Sequence, residues 1–171
     1  VELNYHLYPE NISAAVNNSA GSLAAGTYLY QLIFVWTDAK GQDHRSAPCV
    51  AVSATTTGGS STVTLTIPTL RLTSKTGIVC EVYRTTDTGR LPFKIGKVDN
   101  STSADSVSFA DAGAINDSDL IAKESLYTNG GIIENIPPPA SLVLTTYKNR
   151  LVCVSSENPK KLIYSKKRAP L

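Results

Sequence analysis

The alternation of apolar and polar residues predicts an all-β chain, a β-sandwich followed by a β-meander. Two runs carry most of that expectation. Thr62-Val-Thr-Leu-Thr-Ile67 alternates without a fault, and Tyr28, Tyr30, Leu32, Phe34 and Trp36 take alternate positions of one long run. Helical signal is scarce: Ser118 to Ser125, with Asp117 or Ser118 as cap, suffices for one turn.

The first strand-like run lies around Tyr5 to Tyr8. Thr27 to Asp38 is the next, and because side chains alternate across a strand, its aromatics and Leu32 share one face, the expected centre of the core. Leu29, Ile33 and Val35 make the opposite face apolar too, so this strand is expected to be covered on both sides. Ala39-Lys40-Gly41-Gln42 supplies a turn, with Gly41 able to take positive φ. A strand from Arg45 to Ser53 follows, with Pro48 near its start, where an edge tolerates the missing N–H.

Beyond a Thr/Gly/Ser loop, Val63, Leu65 and Ile67 point inward and the threonines outward, and Pro68 closes the strand. Gly77 to Arg84, Phe93 to Val98 and Val107 to Asp111 add three more, the first two joined by the turn Thr86-Asp-Thr-Gly89. About seven short strands with regularly spaced turns fit an immunoglobulin-like sandwich over residues 21–113, preceded by a flanking segment, 1–20.

Residues 114–139 read as a linker, flexible at Asn129-Gly130-Gly131 and stiff at Pro137-Pro-Pro139. Residues 140–171 then give three runs, Ser141 to Tyr147, Arg150 to Ser155 and Lys161 to Ser165, with turns at Lys148-Asn149 and Glu157-Asn-Pro159. Such a meander is the unit from which a propeller blade is built. So few strands are marginal alone. The segment therefore reads as an incomplete second domain whose pairing other polypeptide completes, and Val1 and Leu171 read as the ends of an excerpt or a processed piece.

Composition is that of a globular chain: of 171 residues, 42% are hydrophobic and 18% charged, and the net charge is +2. No apolar run reaches the roughly 18 residues of a membrane helix. Positive charge gathers at Lys160, Lys161, Lys166, Lys167 and Arg168, a basic tail for solvent, DNA or an acidic neighbour. Cys49, Cys80 and Cys153 lie far apart with no CxxC spacing, so they read as reduced, buried small hydrophobes in a reducing compartment.

Little points to catalysis, and no enzyme activity and no cofactor are expected. His6 and His44 are the only histidines, and no Ser/His/Asp constellation or phosphate-cradling loop accompanies them. Asp105, Asp111, Asp117 and Asp119 form the one acidic concentration, without the spacing of an EF-hand, and read as turn and cap residues before calcium ligands. Trp36, Tyr28 and Tyr30 are candidates for a stacking platform, but their shared face favours the core. Tyr5, Tyr8 and Tyr127 suit interface anchors, since tyrosine buries area while keeping a polar tip.

Gly26-Thr-Tyr-Leu-Tyr-Gln31, Trp36 to Pro48 and Val82-Tyr-Arg-Thr-Thr86 resemble the fibronectin-III-like modules of bacteriophage virion proteins. The flanks, His6-Leu-Tyr-Pro-Glu10, Glu134-Asn-Ile-Pro-Pro-Pro139, Lys148 to Val152 and Ile163-Tyr-Ser165, look like large phage tail proteins of the nozzle or tubular type, in which a sandwich interrupts a β-propeller. The resemblance implies a structural tail protein in a ring of identical subunits, beside other tail or portal proteins and away from membranes. It was assembled, on this expectation, in the host cytoplasm. Tyr5, Tyr8, Tyr127, Ile132, Ile133, Pro137 and Pro138 are then the interface candidates, and Lys160, Lys161, Lys166, Lys167 and Arg168 would face DNA in the lumen. The alternative is a virion-surface module that recognises host carbohydrate or a receptor.

Overall fold

The computed structural model describes residues 8–71, 73–126, 141–148, 150–156, 159–160 and 162–165. The chain is all-β, with antiparallel sheets, and divides into two compact units, Val1–Ile136 and Pro137–Leu171. In the first unit, one sheet has the order β1 (Ser13–Asn17), β5 (Thr62–Pro68), β8 (Ser106–Asp111). The other runs β3 (Asp43–Arg45), β2 (Gly26–Thr37), β6 (Val79–Arg84), β7 (Phe93–Asp99), with β4 (Val52–Thr56) also paired to β2.

The two sheets share one core. Tyr28, Tyr30, Leu32 and Phe34 of β2 and Cys80 and Val82 of β6 are buried against Val63, Leu65 and Ile67 of β5, and Trp36 packs partly buried at the margin. The inward faces expected from strand alternation are therefore the ones that meet. The opposite face of β2 is covered as well: Ile33 and Val35 cluster with Tyr83 and Leu126.

Three expectations need correction. The strand over Arg45 to Ser53 is broken, because the chain pairs with β2 at Asp43–Arg45 and again at Val52–Thr56. Between them side chains substitute for ladder carbonyls: the Phe34 N–H donates to Ser46 Oγ at 2.9 Å and the Leu32 N–H to Cys49 Sγ at 3.2 Å. Pro48, with no N–H to give, sits in this irregular stretch. Second, β1 went unforeseen, since Ser-Ala-Ala-Val-Asn holds a single β-branched residue and so a weak strand signal; the run expected at Tyr5 to Tyr8 falls mostly outside the described residues. Third, α1 (Asp117–Leu120) is capped by Asn116, whose side chain accepts from the Asp119 N–H, and not by Asp117 or Ser118.

Residues 112–126, which take in the start of the 114–139 stretch read as a linker, strap the sandwich. Gly113 takes φ 78° where a Cβ would meet the backbone of Leu23. Leu120 and Leu126 are fully buried. The Lys94 N–H donates to Glu124 O at 2.9 Å and the Leu126 N–H to Pro92 O at 3.0 Å, which also shields the β7 edge.

The second unit is a three-stranded antiparallel sheet in the order β11 (Leu162–Tyr164), β10 (Arg150–Ser155), β9 (Ser141–Tyr147). Its three strands fall where alternation and turn residues put them.

Candidate functional site

The surface with the clearest unmet physical demand is this small sheet. Cys153 stands opposite Leu144 on one side and Ile163 on the other, so these three form a cross-strand row on one face. The next row, Val143, Val154 and Leu162, lies on the other face. Cys153 is buried, yet Leu142 is 66% and Leu144 61% exposed. The other face also carries Tyr147, Arg150 and Tyr164, so it is the face of Leu142, Leu144, Cys153 and Ile163 that has the pattern of a covered surface and not of a solvated one.

Of the expected interface residues, Tyr8 is the one described. It lines, with Pro9 to Ile12 and Cys49 to Val52, an open cleft of about 390 Å³. The Glu10 carboxylate raises the Tyr8 pKa, first through a hydrogen bond and then through its charge. Tyr5, Tyr127, Ile132, Ile133, Pro137 and Pro138 lie outside the described residues, as do Lys161, Lys166, Lys167 and Arg168; Lys160 is exposed.

Sequence reasoning missed a buried ionic network at one end of the sandwich. Arg84 is fully buried on the inward side of β6. Its Nη1 donates to Asp111 Oδ2 at 2.8 Å and its Nη2 to Ile115 O at 2.7 Å, while the Tyr30 hydroxyl donates to the same Asp111 oxygen at 2.9 Å. Burial first, then Asp111, pushes the Tyr30 pKa far up, so the phenol stays a donor. Arg84 Nη2 also reaches Asp117 Oδ1 at 3.4 Å, and Asp117 Oδ2 accepts from the Asp87 N–H. The network thereby ties β6, β8 and the strap. The signal was parity: Cys80, Val82 and Arg84 alternate, which puts a cation on a core face.

A second cluster closes the β2–β3 turn. Asp38 Oδ1 accepts from the N–H groups of Lys40 and Gln42, and Oδ2 lies 2.9 Å from His44 Nε2. The His44 ring stacks on Trp36 at 5.1 Å, and Lys75 Nζ lies 4.8 Å from the Trp36 ring. His44 thus has a local structural partner on each side.

The acidic residues do not converge. Asp111 and Asp117 serve Arg84, Asp105 pairs with Arg71, and Asp119 accepts from the Asn116 side chain. Among the described residues no group of three or more His, Cys, Asp or Glu is placed to hold a metal ion. The thiols are all free and buried, and burial pushes Cys49 up to about 11, which makes it unreactive at neutral pH. No protein-family model and no curated protein sequence matches the chain.

Proposed function

We propose that this chain is a non-enzymatic structural component of a bacteriophage virion, built into the tail as part of its nozzle or tube. Its sandwich is of the immunoglobulin or fibronectin-III type, and the β9–β11 sheet is part of a propeller-like domain. One observation carries the reading: a three-stranded sheet with an uncovered apolar face, on which Leu142 is 66% and Leu144 61% exposed. Such a sheet reaches its stable state when further sheets cover it. Copies around an axis meet that need by repeating one contact until the ring closes. Lys160 and its basic neighbours then contact DNA phosphates without reading sequence.

Immunogold labelling of purified particles with an antibody to the chain tests this. Gold on the tail is the expected result, and particles free of label sink the reading. A purified chain that binds host glycans on an array, with no label on particles, replaces it with the receptor-binding alternative.

A further inference from the structure

Charge is divided unequally along the chain. Residues 137–171 hold seven Lys and Arg against one Glu, net +6, whereas residues 1–136 hold nine against thirteen, net −4. Among the described residues of the second unit there is no Asp or Glu. That unit therefore suits an anionic partner.

The face opposite Leu144, Cys153 and Ile163 supplies more than charge. Arg150 stands directly across from Tyr147, and Tyr164 across from Val152 two positions along β10, so the two rings flank the arginine on one face. Both tyrosines are 63% exposed. The Arg150 guanidinium lies 5.3 Å from the Tyr164 ring centroid, and its Nη1 donates to Ser165 O at 3.1 Å, which fixes its direction. Lys148 Nζ lies 5.3 Å from the Tyr147 ring.

Exposed rings interleaved with cations on an antiparallel sheet match the chemistry of unpaired nucleic acid. Bases stack on the rings while phosphates meet the cations. A duplex keeps its bases stacked inside and offers the rings nothing. An apolar protein neighbour would leave Arg150 and Lys148 to be desolvated against it, which is costly.

We propose that Tyr147, Arg150 and Tyr164, with Lys148 at the rim, form a stacking site for single-stranded nucleic acid. The site stands whether or not the opposite face is covered in a particle.

Fluorescence anisotropy of the complete chain, with a labelled oligothymidylate and a duplex of equal length, tests it. The single strand is expected to bind more tightly than the duplex. The pair Tyr147→Ala and Tyr164→Ala should lose roughly tenfold per ring, while Tyr147→Phe with Tyr164→Phe should bind like the unsubstituted chain. Circular dichroism checks the fold of each variant. Should the alanine pair not fold, the strand preference and the phenylalanine pair decide. Equal binding of duplex and single strand, an alanine pair as tight as the unsubstituted chain, a phenylalanine pair as weak as alanine, or no binding at low salt overturns the proposal.

Discussion

Asp111 and Arg84 make the sharpest energetic commitment in the molecule. Both are buried, so each charge depends on the other for the solvation it has lost. Asp111→Ala removes the buried counter-charge of Arg84 and leaves it Ile115 O and the more distant Asp117, and we expect a loss of about 3–5 kcal/mol in urea unfolding. Replacing both members, Arg84→Met with Asp111→Leu, should recover most of it, because neither charge of the pair is then left buried without the other. Asp38 works differently. Its carboxyl is held below the ordinary 3.8, first by the His44 hydrogen bond and then by the Gln42 N–H. A depressed carboxylate contributes stability that is present above its unfolded pKa and is lost as pH falls through the folded one. Unfolding midpoints measured from pH 5 to pH 2 should therefore drop more steeply in the unsubstituted chain than in Asp38→Asn, and parallel curves would refute the role. Strand parity puts Arg84 at an inward position, a signal the sequence reading did not use. Its partner could not be seen, since Asp111 sits 27 residues away on the facing sheet and is joined to it only by the fold.

Elements with strict alternation were legible, and those held by isolated contacts were not. β2, β5 and β6 carry their facing in their own side chains, so their core residues could be named in advance. The strap carries two leucines, Leu120 and Leu126, in a stretch of Asp, Ser, Ala and Gly, and composition alone makes that a linker. What fixes it is tertiary: Leu126 fills a cluster with Ile33, Val35 and Tyr83 on the outer face of the sheet. Leu126→Ala should cost about 2–5 kcal/mol in denaturant unfolding. Hydrogen exchange should quicken at the Lys94 and Leu126 amides, which donate into this seam. Exchange at those amides no faster than in the parent chain would mean that the strap is held elsewhere. The broken β3–β4 edge was hidden for a similar reason, because Ser46 and Cys49 replace ladder bonds with side-chain acceptors that no periodicity announces.

For the whole molecule, the small sheet and the charge division bear on one question, how copies would meet in the proposed ring. A contact that pairs second unit with second unit sets +6 against +6, whereas a head-to-tail contact sets +6 against −4. Head-to-tail contacts repeat, and a repeating contact closes into a ring or runs on as a filament. Leu144 is the position that would separate the proposed assembly from the free chain. At 61% exposure a lysine there has ample water, so Leu144→Lys should change the free chain's unfolding midpoint little. In a covered face the same lysine is a buried, unpaired charge. Sedimentation velocity should accordingly show the unsubstituted chain associating as its concentration rises, and Leu144→Lys remaining monomeric. Raising the salt from about 0.05 to about 0.5 M should weaken the association of the parent chain, because the Debye length contracts and attraction between oppositely charged units is screened. Association that survives both the lysine and the salt would mean that copies meet through some surface other than this sheet.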